Sequence, residues 1–243
     1  MKLNKPAFWD YKSASPLVYL LLPFTLPFFI RGLFLKPKEK DEIIKTICVG
    51  NIYVGGTGKT PLSIEINRLL LNLNYNTGFI KKYYKDQEDE QKLLSKHGKI
   101  FCKSNRLESL NDAINDNKDI VIFDDGLQDN SIKYNLSIVC FNSLNFVGNN
   151  FLIPAGPLRE KISSLKKYKI AFLNGESNEI PKIKEIILNQ NSSIRIFEAN
   201  YVPTNLDKIN LNDKFLVFSG IGNPASFEKT LLKNNFNITK FLK

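Results

Sequence analysis

Short apolar runs alternate along this chain with segments whose apolar residues recur every three or four positions. The runs predict strands at 43–49, up to about 80, 99–102, 119–124, 137–141, 194–202, 215–218 and 238–242. Helical spacing predicts helices after Pro61, at 107–114, at 181–189 and from 225. This alternation is typical of an α/β fold in which helices cover a mostly parallel sheet.

The N-terminal pattern is different. Residues 13–30 carry no charge and are dominated by Leu, Phe, Pro and Val. Basic residues flank the segment on both sides: Lys2, Lys5 and Lys12 before it, and Arg31, Lys36, Lys38 and Lys40 after it. Pro16, Pro23 and Pro27 would kink a helix repeatedly. We expect a segment lodged in the face of an anionic membrane; a single membrane span and an apolar hairpin packed on the domain are the alternatives.

The clearest candidate chemistry lies between the first predicted strand and the first predicted helix. Its residues are Gly55, Gly56, Thr57, Gly58, Lys59 and Thr60. Glycines let the backbone turn its N–H groups toward an anion, a lysine neutralises phosphates, and a threonine hydroxyl can ligate Mg²⁺. Tyr53 stands where the general phosphate-loop motif has its first glycine. The alternative is a glycine turn followed by an incidental lysine.

The helix after this loop has a predicted buried face. Its members are Leu62, Ile66, Leu69, Leu70 and Leu73. Further along, Asp124 and Asp125 follow an apolar run, at the edge where ligands bind in open α/β sheets. Carboxylates there could complete a Mg²⁺ site with Thr60. The alternative is an acidic turn after a strand.

Composition narrows the possible partners without choosing one. The net charge is +10 and the pI is about 9.3, which suits nucleic acid, an anionic membrane or a phosphorylated small molecule. The three cysteines, Cys48, Cys102 and Cys140, have no metal-like spacing. We therefore predict reduced thiols of a cytosolic protein.

Four motifs occur in an order that resembles the tetraacyldisaccharide 4′-kinase family of lipid A biosynthesis. They occupy residues 49–61, 124–128, 152–160 and 220–224. The resemblance implies a membrane-associated N-terminal segment at 1–35, a phosphate-loop kinase core at 36–160 and a smaller, incomplete C-terminal α/β domain at 161–243. It also implies ATP and Mg²⁺ as cofactors, and phosphorylation of the 4′-hydroxyl of an acylated glucosamine disaccharide phosphate at the cytoplasmic face of the inner membrane. Inner-membrane lipids are then expected partners, and nucleic acid is not.

The resemblance also assigns roles to single residues. Lys59 and the loop before it would bind ATP, Arg159 would steady the transferring phosphate, and Asp89 would activate the sugar hydroxyl. Glu90, Arg106, Gln128 and Glu160 would contact the substrate. An ion pair with a loop carboxylate is the alternative role for Arg159.

This sequence departs from the family pattern at several positions. Glu88 and Gln91 replace the glycine and proline around the acidic pair at 89–90, and Asp129 replaces a histidine. An arginine-glycine-tyrosine-glycine stretch is represented by residues 82–85, which contain no glycine. The single histidine, His97, matches no motif and is expected at the surface.

The family's Asp-His-His motif would follow at about the point where this sequence ends. We therefore expect either a fragment of such a kinase or a truncated remnant that retains nucleotide or membrane binding. Another membrane-associated phosphate-loop ATPase is a third possibility.

Overall fold

A seven-stranded parallel sheet forms the centre of the computed structural model, which describes residues 5–11, 15–27, 43–220 and 224–242. Its strands are β1 (Lys45–Gly50), β2 (Thr77–Lys82), β3 (Ile100–Lys103), β4 (Ile120–Asp124), β5 (Leu136–Asn142), β6 (Ile170–Asn174) and β7 (Arg195–Ala199). A separate pair consists of β8 (Lys214–Phe218) and β9 (Asn237–Leu242). The helices are α1 (Pro16–Leu21), α2 (Lys59–Asn72), α3 (Glu88–Ser95), α4 (Arg106–Asn115), α5 (Ile180–Gln190) and α6 (Pro224–Lys233). The predicted α/β architecture with a mostly parallel sheet is confirmed.

The strand order is β3-β2-β4-β1-β5-β6-β7, so β1 lies between β4 and β5. Residue 49 on β1 pairs with Asp124 on β4 in the parallel register. Because carboxyl ends of parallel strands meet at one edge, the loops after β1 and β4 leave the sheet side by side. The order of strands therefore brings two of the predicted motifs together.

Both faces of the sheet are buried. Ile80, Phe123 and Phe141 belong to one apolar cluster, and Phe79 and Ile122 belong to another. Neighbouring residues of β2 and β4 thus point to opposite covered faces, which explains why β4 is a continuous apolar run. Cys48 and Cys140 are buried free thiols, whereas Cys102 is half-buried.

The buried face of α2 differs from the predicted one. Leu69 and Leu73 are 49% and 66% exposed, whereas Ser63 and Asn67 are almost fully buried. The Asn67 side chain donates to the His97 carbonyl and accepts from the Thr77 hydroxyl. The prediction for Leu69 and Leu73 was wrong because polar contacts to the sheet, and not apolar periodicity alone, orient this helix.

The sheet continues across residue 160, where the sequence predicted the end of the kinase core. Strand β6, which the apolar pattern did not predict, pairs with β5, and β7 pairs with β6. The separate two-stranded sheet begins only at Lys214. The described elements of this last part of the chain are β8, α6 and β9.

The N-terminal segment is short-helical where it is described. Helix α1 ends at Leu21, and a 3₁₀ turn that carries Pro23 in its first positions follows it. Among residues 5–11, 15–27, 43–220 and 224–242, no helix is long and apolar enough to cross a membrane. The predicted segment at 13–30 is described only from 15 to 27, and the basic flank at 31–40 lies outside the described residues.

Residues 5–11 pack on the loop at 149–158. The Trp9 Nε1 donates to the Pro154 carbonyl at 3.0 Å, and the Asn149 amide donates to the Trp9 carbonyl at 2.8 Å. The Tyr53 hydroxyl donates to Asp10 Oδ1 at 2.6 Å and contacts the Lys5 ammonium. The N-terminal segment thereby reaches the loop after β1.

Candidate active site

The loop between β1 and α2 has the backbone of a phosphate cradle. Gly55 and Gly58 have φ values of +144° and +81°, a region that side chains disfavour. The buried Asn51 side chain donates to the Thr57 hydroxyl at 3.0 Å and braces the loop from inside. Helix α2 starts at Lys59, so the free N–H groups of its first turn point toward the loop. The predicted loop and helix start are both present.

Gly58 is also required by close packing. A Cβ atom at this position would lie 2.3 Å from the Asn174 amide nitrogen at the end of β6. Asn174 in turn donates to the Tyr201 hydroxyl at 3.0 Å. The loop is therefore seated against β6, which the sequence pattern did not reveal.

Thr60 and Asp124 meet at the start of α2. The Thr60 hydroxyl donates to Asp124 Oδ2 at 3.1 Å, and the Ser63 hydroxyl donates to Oδ1 at 3.4 Å. The Asp124 side chain is fully buried. A threonine hydroxyl and carboxylate oxygens are hard ligands of the kind that Mg²⁺ prefers. The structure thus brings Thr60 together with one of the two predicted metal carboxylates.

Asp125 has a different neighbour. Its φ of +60° turns the chain sharply after β4, and its Oδ1 accepts from Arg159 at 2.7 Å. Burial would raise the pKa of Asp125, but the positive charges of Lys59 and Arg159 hold it below its usual value. Asp125 is therefore an ionised carboxylate between two cations at physiological pH.

No group of three or more His, Cys, Asp or Glu side chains that could hold a metal occurs in the part of the chain that the structure describes. A Mg²⁺ site here depends on Thr60, Asp124 and Asp125 together with oxygens of the nucleotide. That donor set fits a Mg²⁺ ion that accompanies a nucleotide better than an all-protein metal site.

Arg159 is held at the site by backbone pairing. The loop at 151–159 pairs with the phosphate loop through Tyr53 and Leu158, and the Arg159 amide donates to the Ile52 carbonyl at 2.7 Å. The Arg159 guanidinium also donates to Gln128 Oε1 at 3.2 Å. Its side chain is 28% exposed. The predicted ion pair and the predicted position beside the phosphates are thus compatible.

Gln128 and Glu160 lie side by side, but they also have structural partners. Gln128 Nε2 donates to Glu160 Oε1 and to the Asn51 carbonyl, both at 2.9 Å. The Tyr168 hydroxyl donates to the same Glu160 oxygen at 3.0 Å. These bonds connect the motif after β4 to the base of the phosphate loop.

Arg106 lies behind the site. It is 8% exposed, donates to the Asp125 carbonyl at 2.6 Å and pairs with Asp129 at 3.1 Å. Its buried Nε has no hydrogen-bond partner among the described residues. Arg106 therefore supports the turn at Asp125, and these two contacts use both ends of its guanidinium.

Asp89 and Glu90 occupy the first turn of α3 and face different directions, because successive helical residues are about 100° apart. Asp89 is exposed, whereas Glu90 accepts from Lys81 Nζ at 2.6 Å. The same ammonium donates to Asp124 Oδ2 at 2.7 Å. Glu90 is therefore connected to the phosphate-loop side, and Asp89 is not within that set of contacts.

Lys81 was not among the predicted site residues, because the predicted strand ended at about residue 80. The structure places this residue inside β2, opposite Asp124 in the register, with its side chain 3% exposed. Burial would lower the pKa of Lys81, but the charges of Asp124 and Glu90 raise it above its usual value. In the sequence Lys81 follows only two apolar strand residues, Phe79 and Ile80, so the pattern carried no signal that it would be buried.

A family model described as tetraacyldisaccharide-1-P 4′-kinase matches residues 33–243. A tetraacyldisaccharide 4′-kinase of Pelagibacter ubique is 50% identical over 246 residues, covering 100% of this chain and 77% of that protein. The corresponding kinase of Rickettsia akari is 34% identical, covering 99% of this chain and 78% of the relative.

One solved structure shares the fold over most of the chain. It is the LpxK protein of Aquifex aeolicus in complex with ATP, with a TM-score of 0.64 and 21% identity. The match covers 93% of this chain and 81% of that one. The similarity confirms the fold, that is, the arrangement of the sheet and its helices.

Proposed function

The chain belongs to the tetraacyldisaccharide-1-P 4′-kinase family, and we propose that it transfers the γ-phosphoryl group of ATP to the 4′-hydroxyl of an acylated glucosamine disaccharide 1-phosphate. The observation that carries the proposal is the convergence of two pairs, Thr60 with Asp124 and Arg159 with Asp125, beside one phosphate loop. The match to this family favours the kinase function over that of another membrane-associated ATPase.

ATP would lie with its phosphates along residues 55–60. Backbone N–H groups and the Lys59 ammonium would neutralise the phosphates, as in other phosphate loops. Thr60 and Asp124, with Asp125 nearby, would hold Mg²⁺. When bound, the metal supplies charge neutralisation on the phosphate oxygens. The protein's part is to fix the direction of the phosphates before transfer.

Arg159 would act on the transferring group. Its guanidinium is anchored by Asp125 and Gln128 through one nitrogen, Nη1. The other guanidinium nitrogens have no hydrogen-bond partner among the described residues and would donate to phosphate oxygens, where charge is spread in the transition state. A cation held in position before the reaction needs little reorganisation during it.

Asp89 would accept the proton of the 4′-hydroxyl. Its exposed position at the start of α3 leaves the carboxylate open to an acceptor that approaches from outside the sheet edge. Glu90, on the next position, is held toward the phosphate loop by Lys81. The first turn of α3 would thus lie between the acceptor and the nucleotide.

The acyl chains would occupy an open cavity of about 560 Å³ beside the N-terminal segment. Its lining is mostly apolar and comprises Tyr19, Leu22, Pro23, Thr25, Leu26, Leu152 and Lys161. Leu17, Leu20 and Phe24 of the same segment are more than half exposed. These side chains would enter the lipid surface at the cytoplasmic face of the inner membrane.

Labelled ATP and tetraacyldisaccharide 1-phosphate, mixed with membranes that contain the protein, test the proposal. We expect label in a glycolipid with one additional phosphate, and none when the Lys59→Ala variant replaces the wild type. Hydrolysis of ATP without labelled glycolipid, under conditions in which the P. ubique relative transfers label, would overturn it.

A further inference from the structure

Lys81 places a permanent positive charge inside the candidate active site. Its Nζ lies 2.7 Å from Asp124 Oδ2 and 2.6 Å from Glu90 Oε2, and its side chain is only 3% exposed. Desolvating an ammonium group is costly unless good partners offset the cost. The two carboxylates meet that requirement, so the position of the charge is fixed by the fold.

The geometry of the sheet explains why Lys81 reaches this point. Strands β2 and β4 are parallel neighbours, and Lys81 is the register partner of Asp124. Side chains of register partners lie on the same face of a sheet, a short distance apart. The Lys81 ammonium therefore lies within hydrogen-bond distance of the carboxylate at the end of β4.

Asp124 Oδ2 is shared between two donors. It accepts from the Thr60 hydroxyl at 3.1 Å and from Lys81 at 2.7 Å. This oxygen is the one that faces Thr60, and hence the one best placed toward a metal ion beside the phosphates. A divalent cation that used it would compete with the ammonium group and would be repelled by its charge.

We propose that Lys81 is a positioning residue that sets the metal dependence of nucleotide binding. It holds Asp124 and Glu90 in place, weakens the binding of a divalent cation beside the nucleotide, and stabilises the nucleotide bound without metal. The inference rests on the ATP-binding part of the proposed function and is independent of the phosphate acceptor.

Two binding measurements on the full chain test the proposal. Mn²⁺ binding to the protein with a non-hydrolysable ATP analogue is measured by electron paramagnetic resonance. Binding of the same analogue in the presence of EDTA is measured by calorimetry. In Lys81→Met we expect Mn²⁺ to bind about threefold to tenfold more tightly and the metal-free analogue to bind more weakly by a similar factor, from the loss of one nearby charge.

Two further variants separate charge from packing. Lys81→Gln removes the charge but keeps a hydrogen-bond donor for the buried Asp124. It should therefore fold even if Lys81→Met does not, and it should show the same two shifts in binding. Lys103→Met is the matched control. Lys103 lies on the neighbouring strand β3 and has an exposed ion pair with Asp112. It should change neither binding constant by more than about twofold.

Opposite shifts in the two constants support the proposal, because structural damage would weaken both kinds of binding together. Weakening of both, or no change in either, would overturn it. Neither measurement depends on phosphoryl transfer. Absence of kinase activity would therefore count against the proposed function, whereas the two binding constants alone decide the role of Lys81.

Discussion

Arg159 and Asp125 form an ion pair, 2.7 Å between guanidinium nitrogen and carboxylate oxygen, that joins the loop at 151–159 to the end of β4. One Arg159 nitrogen, Nη1, donates to both Asp125 and Gln128. The pair therefore anchors the side chain without using the whole fork. This division of the guanidinium between protein and ligand is the basis of the first prediction.

Arg159→Lys should lower kcat by on the order of 100-fold, with a smaller effect on ATP affinity. The lysine keeps the charge but has no planar fork that can donate to Asp125 and to phosphate together. Steady-state kinetics with the glycolipid acceptor measure the change. Arg195→Lys, at an exposed position on β7, serves as the control, and equal losses in both variants would contradict the assigned role.

Asp89→Asn should reduce kcat with the glycolipid by about 100-fold or more while ATP binding stays at the wild-type level. The amide cannot accept the hydroxyl proton, and Asp89 lies outside the contacts that brace the phosphate loop. Rates and nucleotide affinity are measured on the same preparation. Glu88→Gln removes an exposed charge one residue away and should retain activity. Full activity of Asp89→Asn would assign the proton to another group.

Thr60→Val should abolish most of the gain in ATP affinity that Mg²⁺ provides. Valine has the shape of threonine but lacks the hydroxyl that donates to Asp124 and would ligate the metal. We expect MgATP affinity to fall about tenfold, and affinity in EDTA to change little. Thr230→Val is the control, because the Thr230 hydroxyl donates only within α6, to the Ser226 carbonyl. Equal losses with and without Mg²⁺ would argue against Thr60 as a metal ligand.

Gly58→Ala should destabilise the protein and weaken nucleotide binding together. Alanine is strained at the positive φ of this position, and its methyl group would lie only 2.3 Å from the Asn174 amide nitrogen. Gly175→Ala separates these effects, since Gly175 has a φ of +92° and open space around its Cβ position. Thermal unfolding should show a loss of about 1 kcal/mol for Gly175→Ala and a clearly larger one for Gly58→Ala. Similar losses would mean that the Asn174 contact gives way easily.

Ser131→Ala should lower the free energy of unfolding by about 1 kcal/mol at pH 7, and this penalty should disappear in acid. Burial would raise the pKa of Asp129, but bonds from the Ser131 hydroxyl and amide, and the charge of Arg106, hold it below its usual 3.8. A lowered carboxyl pKa stabilises the fold above about pH 4, and the contribution is lost as the pH falls through the folded-state value.

Urea unfolding at several pH values checks this sign. Ser193→Ala is the matched control, because the Ser193 hydroxyl donates to an amide oxygen of Asn191, which does not titrate. Its penalty should be the same at every pH. A penalty of Ser131→Ala that grew in acid would contradict the assignment.

The sequence predicted those elements whose apolar pattern and chemistry agree. Strand β4 is a continuous apolar run followed by two carboxylates, and both its burial on two faces and its place beside β1 follow from parallel-sheet geometry. The phosphate loop was predictable because its glycines, its lysine and the helix that starts there all serve the binding of phosphate. Strand β6 was missed, although residues 170–173 are apolar.

Contacts between distant residues could not be predicted from the pattern. Lys81 is polar and lies just beyond the predicted end of its strand, so its burial beside Asp124 is evident only from the structure. Likewise, periodicity assigned Leu69 to the covered face of α2, while Asn67 occupies that face because it has partners on β2 and before β3. In both cases, the burial of a polar side chain depends on partner atoms that are distant in the sequence.

The packing of residues 5–11 on the loop at 149–158 has a practical consequence for N-terminal truncations made to ease purification. Trp9 and Asp10 are bonded to Pro154 and to Tyr53, and Tyr53 pairs with Leu158 next to Arg159. A deletion of the first eleven residues would remove these hydrogen bonds, which support the loop at 151–159 that carries Arg159. We therefore expect a shortened protein to lose phosphoryl transfer while its phosphate loop remains intact.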